Sequence, residues 1–418
     1  MALNQALLKN LDANLDAVVE LYKDFHRTPE LSMQEQTTAS TIRTVVEGYG
    51  YDAFVCGGTG VVATLQNGDG PVIAYRADID GLPIREDTGA DYASSTRGTL
   101  PDGTSTWVMH GCGHDTHITV ALETARLLSE HRDLWAGTVV FLFQPGEETS
   151  AGAAAMLADG VWDRAPKPSA VFGQHVWPAV AGTVNVSVGT AMAMANSLQI
   201  TVHGRQAHGS QPENSIDPVV VGAFMVTRLQ TIVSREVAAR EPVVLTIATF
   251  HAGLKENIIP DKAVFTINVR SFDEDVRAKI LESIERIVRA EAAAAGAPEP
   301  EIDRMYEFPR CYNDPELTSA LLDSLRDELG EDAVTETGPI TGSEDVGRFG
   351  DEIGVPYTYW FFGGHTAESV EAGVPGNHSP MFLPDDVRTA LRTGVRAALT
   401  ALVGHLQKLD PLEKEGPS

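Results

Sequence analysis

Cysteine is scarce in this chain, and long apolar runs are absent. Its 418 residues include three cysteines, Cys56, Cys112 and Cys311, which lie far apart along the sequence. Three scattered thiols do not make a disulfide framework, which agrees with a reducing compartment. No run of about 18 apolar residues occurs, and the first residues lack a basic stretch followed by an apolar one. We therefore expect a cytoplasmic protein without a membrane partner.

Positive charge is scarce as well. Lys and Arg total 31 against 58 Asp and Glu, so the formal net charge is −27. A surface this acidic repels phosphate backbones, which excludes nucleic acid as the expected partner. Hydrophobic residues at 43% and charged residues at 21% are ordinary for a globular protein. The length predicts about two domains.

The order of predicted strands and helices indicates how these domains are arranged. Apolar β-branched runs alternate with amphipathic stretches in residues 1–188 and again in 304–418, which predicts an α/β/α domain with a mostly parallel sheet. Between them, residues 189–303 follow the order strand, helix, strand, strand, helix, which predicts a smaller inserted α+β domain. Ligand sites in parallel sheets gather at the carboxyl ends of the strands, so we expect the chemistry there.

Three imidazoles, a thiol and a carboxylate lie within a glycine-rich stretch of nine residues, from Met109 to His117. Glycine lets the backbone turn tightly, so that Cys112 and His114 can face one metal ion. Asp115 could then orient a ligand from behind. The alternative interpretation is a glycine turn at a helix start with an incidental thiol.

Two adjacent carboxylates, Glu147 and Glu148, follow the apolar strand that ends Phe-Leu-Phe-Gln-Pro-Gly. Adjacent residues that leave a strand end point in different directions. One of them can therefore bind a metal ion while the other handles a proton. The alternative interpretation is a charge pair that suits the dipole of the Ala-rich helix that follows.

Two further histidines lie where predicted elements end. His175 comes at the end of a predicted strand, and His378 lies in a loop before the last helix. Together with the cysteine, the first ligand histidine and one of the two glutamates named above, they make five candidate ligands, more than the four of one tetrahedral site. This number indicates two metal ions with a bridging water. Asp78 and Asp80 also follow a predicted strand, and either could add a ligand or hold a histidine in one tautomer.

In order and spacing, these motifs resemble those of the M20 metallopeptidases. The resemblance also includes the stretches 26–31, 204–212, 342–345 and 377–380, and it covers essentially the whole chain. Within the family, the chain is similar to the amidohydrolase branch of hippurate hydrolases, aminoacylases and plant auxin-conjugate hydrolases. The resemblance implies that Glu147 is the general base. It implies as metal ligands Cys112, His114, Glu148, His175 and His378.

The resemblance further implies that the inserted domain is a ferredoxin-like lid and dimerisation domain. His208 of this domain would polarise the scissile carbonyl or steady its oxyanion, from the same or a neighbouring subunit. Asn257 and Arg270 would hold a substrate carboxylate, because a guanidinium binds two oxygens at once. The alternatives are a solvated loop histidine and an arginine paired with a surface acid. Gln206 stands where relatives usually have glycine, which leaves the reach of His208 open.

A donor set of one thiolate, three imidazoles and a carboxylate favours two zinc ions, with Mn²⁺, Co²⁺ and Ni²⁺ as alternatives. The leading hypothesis is hydrolysis of the amide bond of N-acyl amino acids by a metal-activated water, with Glu147 as the base. The other hypotheses are a dipeptidase or aminopeptidase of the same family, a thiol hydrolase with Cys112 as nucleophile, and a metal carrier without turnover. The resemblance also implies a homodimer.

Overall fold

The computed structural model describes residues 3–406. The chain forms two units. Unit one contains Met1–Ala191, Tyr312–Gly338 and Asp345–Ser418, and unit two contains Met192–Cys311 and Pro339–Glu344. Among the helices in the described part of the chain, none combines the length and the apolarity needed to cross a membrane.

The helices and strands of the described residues are numbered in chain order. The α-helices are α1 (Gln5–Arg27), α2 (Gln36–Gly48), α3 (His114–Glu130), α4 (Gly152–Ala158), α5 (Val161–Arg164), α6 (Pro218–Thr231), α7 (Glu274–Ala294), α8 (Pro315–Leu329), α9 (Gly347–Asp351), α10 (Ala367–Ala372) and α11 (Val387–His405). The strands are β1 (Asp52–Cys56), β2 (Gly60–Asn67), β3 (Val72–Asp78), β4 (Arg97–Thr99), β5 (Ser105–Trp107), β6 (Gly137–Gln144), β7 (Ala170–Val180), β8 (Val184–Val186), β9 (Gly189–Met192), β10 (Met194–His203), β11 (Ala207–His208), β12 (Val243–Ala252), β13 (Ile258–Ile259), β14 (Lys262–Ser271), β15 (Glu301–Phe308), β16 (Cys311–Asn313), β17 (Val334–Glu336) and β18 (Tyr357–His365).

The central sheet of unit one has the strand order β1-β2-β6-β3-β7-β18-β8-β17. Its middle strands β6, β3, β7 and β18 run parallel to one another, and antiparallel pairs occur towards the edges. Every residue of β6 and β18 is buried, as expected for strands covered on both faces. The predicted α/β class with a mostly parallel sheet is confirmed.

The register of these strands aligns the ends that carry polar side chains. Asp78 of β3 pairs with Gln144 of β6, and Arg76 pairs with Gly173, two residues before His175 on β7. The carboxyl ends of β3 and β6 therefore lie beside His175. The structure places His175 within β7 and not at a strand end as predicted, because β7 continues to Val180. Helices α1, α3 and α11 pack against one another, and α3 and α11 also contact the sheet, so the start of α3 is fixed beside these strands.

Unit two is a four-stranded antiparallel sheet in the order β12-β14-β10-β15, with α6 and α7 packed against β14 and against each other. Alternate residues of β14 are buried, which is the pattern of a strand with one covered face. The unit starts slightly later than the predicted residue 189. It ends later than residue 303 because β15 pairs with β10 along its length.

Candidate metal centre

The glycine-rich stretch forms the turn into α3, whose first residue is His114. Gly113 precedes it with φ of +87°, a left-handed conformation that glycine adopts without strain. A Cβ atom at this position would lie 2.4 Å from Cγ1 of Val176 on β7. Glycine therefore permits both the turn and the close packing that bring Cys112 and His114 beside β7.

Gly113→Ala should destabilise the fold by more than the about 1–3 kcal/mol expected for a strained backbone conformation. The added methyl group also meets Val176, so we expect less metal bound per chain. Gly103→Ala is the matched control, since Gly103 has the same φ of +87° with nothing within 4 Å of its Cβ position. Thermal unfolding and metal analysis of both variants are the measurements. Equal effects of the two substitutions would contradict the packing argument.

His114 is fully buried and is held by Asp80. Its Nδ1 lies 2.9 Å from the Asp80 carbonyl oxygen and 3.1 Å from Asp80 Oδ1. Because both oxygens accept, Nδ1 is the nitrogen that donates. The other nitrogen, Nε2, lies 3.7 to 4.0 Å from carboxylate oxygens of Asp78, Glu147 and Glu148.

These carboxylates favour positive charge at His114. Burial by itself would lower the pKa of His114, but Asp78 and Asp80 raise it to about 10. Burial also raises the pKa of the Cys112 thiol well above its usual range, and the neighbouring Glu148 raises it further. Cys112 therefore needs a cation beside it to be a thiolate, and a bound metal ion would be such a cation.

His175 presents one nitrogen lone pair to Cys112. Its Nδ1 lies 2.6 Å from the Val176 carbonyl oxygen, so Nδ1 donates and Nε2 carries the lone pair. That Nε2 lies 3.3 Å from Cys112 Sγ. Burial lowers the pKa of His175 well below its usual value, with a further contribution from His117. His175 is therefore neutral, which is the form that binds metal ions.

Glu148 and His378 also lie close to the Cys112 thiol. Glu148 Oε1 lies 3.3 Å from His378 Nε2. His378 reaches this position from a loop in which its own φ is +69° and its N–H donates to the Gly111 carbonyl oxygen at 2.7 Å. The structure thus brings the five predicted ligands and Glu147 together within unit one.

The donor set fits two metal ions. In residues 3–406, the buried His114 Nε2 has no hydrogen-bond partner, a costly arrangement that a bound cation would relieve. Donor atoms within 4.8 Å of one another form two groups that share Cys112: one adds His114 and His175, and the other adds Glu148 and His378. Two groups of nitrogen, oxygen and sulfur donors that share one sulfur suit neighbouring divalent ions.

His117 is a buried residue whose role the sequence did not indicate. Its Nδ1 hydrogen-bonds Asp78 Oδ1, and its Nε2 accepts from the Val176 N–H at 2.8 Å. Because Nε2 accepts, Nδ1 carries the proton, and His117 orients Asp78 beside His114. Its spacing of three residues from His114 places both on one face of α3, a signal that could have indicated this role.

Asp115, predicted to orient a ligand, contacts a different histidine. Its Oδ2 lies 2.6 Å from His26 Nδ1, and its Oδ1 accepts from the Thr116 N–H at 2.9 Å. Burial would raise the pKa of Asp115, but the hydrogen bond and the charge of His26, together with His110 and the Thr116 N–H, lower it. Within unit one, the carboxylate that contacts His114 Nδ1 is Asp80.

The three predicted substrate-side residues belong to unit two. His208 is exposed on β11, where its Nδ1 accepts from the Ser210 N–H at 3.1 Å, so the proton of the neutral ring lies on Nε2. Asn257 lies beside it, since its carbonyl oxygen accepts from the Gly209 N–H at 2.8 Å. Arg270 on β14 donates to Asn268 and to Ser343. Their roles remain predictions.

Comparison with known families decides the family. The family model for peptidase family M20/M25/M40 matches residues 74–400. The chain belongs to this family. The match begins on β3 and includes all the predicted site residues of this M20 hydrolase.

Three similar proteins cover nearly the whole M20 chain. Thermostable carboxypeptidase 1 from Saccharolobus solfataricus is 33% identical over 378 residues, which cover 89% of this chain and 91% of that protein. N-acetylcysteine deacetylase from Bacillus subtilis is 34% identical over 391 residues, which cover 92% and 96%. A dinuclear metal-binding M20 peptidase from Bacillus subtilis, known from its crystal structure, is 30% identical in sequence. The two structures align with a TM-score of 0.74 over 94% of this chain and 99% of that one.

Proposed function

We propose that this M20 hydrolase cleaves the amide bond of N-acyl amino acids to give a carboxylic acid and a free amino acid. The observation that carries the proposal is the pair of donor groups that share Cys112, with the Glu147 carboxylate 4.0 Å from His114 Nε2. A carboxylate beside a metal-binding cluster has the position that a general base needs. A metal carrier without turnover would have no use for it.

The proposed ligands are Cys112, His114, Glu148, His175 and His378. Divalent ions bound there would polarise the substrate carbonyl and lower the pKa of a water molecule. Zinc is the proposed metal because it accepts thiolate, imidazole and carboxylate together, and manganese, cobalt and nickel are the alternatives to be tested.

Glu147 is proposed to move the proton in this reaction. Its carboxylate takes a proton from the attacking water and passes it to the leaving amino nitrogen, so that the amino acid leaves as an amine and not as an amide anion. Asp80 holds the His114 ring with Nε2 directed towards the carboxylates of the site, which keeps that nitrogen oriented during the reaction. His208 is proposed to donate a hydrogen bond from its Nε2–H to the carbonyl oxygen, and Asn257 and Arg270 to bind the carboxylate of the amino acid.

The N-acyl substrate class is supported by the deacetylase relative, which is named for removal of an acetyl group from an amino acid. Peptide cleavage is the second candidate, because a carboxypeptidase is similarly close in sequence. The two activities differ in the group on the amide carbonyl, which is an acyl chain in one and an amino acid with a free α-amine in the other.

Release of free amino acid from a small substrate panel tests the proposal. The panel holds N-acetyl, N-benzoyl and long-chain acyl forms of one amino acid with the matching dipeptide, each with and without a chelator. We expect the acyl substrates to be cleaved, the chelator to abolish cleavage, and added zinc to restore it. Turnover of the dipeptide alone would assign a peptidase instead. Chelator-resistant turnover would favour the thiol mechanism at Cys112.

We also propose that the M20 chain forms a homodimer through unit two. Strand β12 is at the edge of its sheet, and none of its residues is Lys, Arg, Asp, Glu or Pro. Beside it on α6, Val220 is 50% and Phe224 is 62% exposed. An uncharged edge strand next to apolar side chains is a template for pairing, and a two-fold axis would place the same patch of a second copy on it.

Phe224→Glu should convert the proposed dimer into a monomer, because it places a charge in an apolar interface. Sedimentation velocity at micromolar concentration is the measurement. Asp323→Glu, at an exposed position of unit one, is the control and should leave the sedimentation coefficient unchanged. A wild-type chain that sediments only as a monomer would contradict the proposal.

A further inference from the structure

Residues 32–35 form a short segment before α2 that packs against the loop of the two catalytic-site glutamates; we call it the brace segment. Just before it, the Leu31 backbone pairs with Gly81, and the Gly81 N–H donates to the Glu30 carbonyl oxygen at 2.7 Å. The brace segment is therefore tied to the chain that leaves β3. None of its residues belongs to the predicted metal-binding motifs.

Glu35 is the fully buried acid of the brace segment. Its Oε1 accepts two backbone N–H groups at 2.8 Å, from Met33 and from Gly146, and its Oε2 accepts the Thr59 hydroxyl at 2.5 Å. A buried carboxyl group costs free energy unless its oxygens are satisfied, and here both are. The Gly146 contact joins Glu35 to the residue directly before Glu147.

Glu35 does not serve the helix at whose start it stands. It is the N-cap residue of α2, but its side chain makes no capping hydrogen bond. Glu30 takes that role, since its two carboxylate oxygens accept from the Thr37 and Thr38 N–H groups at 3.1 and 2.8 Å. The side chain of Glu35 therefore reaches away from α2 to the loop that follows β6.

Gly146 determines the direction in which Glu147 leaves β6. Its φ is +53°, and its carbonyl oxygen accepts from the N–H groups of Ala151 and Gly152 at 3.1 and 3.2 Å. A Cβ on Gly146 would lie 2.5 Å from Met33 Sδ, so the brace segment also packs directly on it. With Glu35 bound to its N–H, both polar backbone groups of Gly146 are fixed.

The brace segment also supports the residue after the base. Asp80 Oδ2 accepts the Ser32 hydroxyl at 2.6 Å and the Glu148 N–H at 3.1 Å. The backbone is thus held on both sides of Glu147, at Gly146 by Glu35 and at Glu148 through Asp80.

We infer that Glu35 is a positioning residue for Glu147, acting through the N–H of Gly146. The inference rests on the proposed role of Glu147 as the base. The hydrogen bonds of the Glu35 side chain go to Met33, Gly146 and Thr59, none of which is a proposed ligand. The effect of Glu35 is to keep one carboxylate in the orientation that proton transfer requires, where a displacement of about 1 Å can cost about 10²-fold in rate.

Three variants test this inference. Glu35→Ala removes the acceptor, whereas Glu35→Gln keeps an oxygen for both N–H groups and an amide beside Thr59. Glu328→Ala is the matched control, since Glu328 is also a buried acid of unit one that accepts a backbone N–H, from Leu3, but it contacts none of the site residues. Each variant is measured for kcat, KM, metal per chain, thermal unfolding, and hydrogen exchange of the peptide that contains Gly146.

We expect Glu35→Ala to lower kcat by about 10²-fold, with KM and metal content close to wild type and faster exchange at Gly146. Glu35→Gln should recover most of kcat. Glu328→Ala should lose thermal stability without the loss of kcat. A kcat for Glu35→Ala equal to that of Glu328→Ala, or a loss explained by lost metal, would overturn the inference.

The exchange measurement separates this inference from the proposed function. If the substrate panel gives no turnover, the proposed function fails, but exchange at Gly146 still reports whether Glu35 holds that N–H. Unchanged exchange in Glu35→Ala would overturn the inference whatever the activity.

Discussion

We expect Glu147→Gln to lower kcat by about 10²- to 10⁴-fold, the range for loss of a general acid–base group. Glutamine keeps the shape of the side chain but does not take up a proton at neutral pH. Glu147 is 6% exposed, and its Oε2 lies 4.0 Å from His114 Nε2, so the amide would occupy the same place. Steady-state kinetics with the best N-acyl substrate and metal analysis of the same samples are the measurements.

The metal analysis distinguishes a base from a ligand. Donor atoms of His114, Glu147 and Glu148 lie within 4.8 Å of one another, so Glu147 has the position of a ligand as well. If Glu147 is the base, the variant should keep its metal per chain and have a lower kcat. If Glu147 is a ligand, metal per chain and kcat should fall together. Glu123→Gln is the control, because Glu123 is a buried acid on α3 paired with Arg126. A mild effect of Glu147→Gln would contradict the base role.

The sequence was sufficient for the fold class, and it indicated the short motifs of the candidate site. Cys112 and His114 are two residues apart and Glu147 and Glu148 are adjacent, so local spacing alone indicated that they act together. His175 and His378 are distant in sequence, and they were added because they lie where predicted elements end and because the family resemblance implies them. In the fold, β7 pairs with β3, and the His378 N–H donates to the Gly111 carbonyl oxygen. The alternation of strands and helices along the sequence predicted a parallel sheet. In a parallel sheet, the carboxyl ends of neighbouring strands lie at the same edge.

The supporting residues were not predictable in the same way. Glu35 stands at the start of a helix, where an acid ordinarily interacts with its own helix, so its sequence position gave no sign of the contact with Gly146. The direction of each histidine depends on tertiary hydrogen bonds, such as that of His117 with the Val176 N–H. Unit two ends later than the predicted residue 303, because β15 follows the Ala-rich end of α7 and pairs with β10.

Arg76→Met should strongly destabilise unit one. The Arg76 side chain is fully buried on β3, where it donates to Asp78 at 2.6 Å, to Gln144 at 2.8 Å and to Asp345 at 3.3 Å. Methionine has a similar length but no charge, so two buried carboxylates lose this cation. Loss of one partner from a buried ion pair costs about 3–5 kcal/mol. Denaturant unfolding at pH 7 is the measurement, and Arg43→Met on α2, whose pair with Glu47 is exposed, should cost much less.

The loss in Arg76→Met should also depend on pH. Burial would raise the pKa of Asp78, but Arg76, His114 and His117 together lower it well below its usual value. A carboxyl with a lowered pKa stabilises the fold above its unfolded pKa of about 3.9, and this contribution disappears as the pH falls through the folded pKa. The difference in unfolding free energy between wild type and variant should therefore be largest at pH 7 and should decrease in acid. A difference that stays constant down to the lowest pH at which both chains fold would show that Arg76 stabilises unit one by packing and not by its charge.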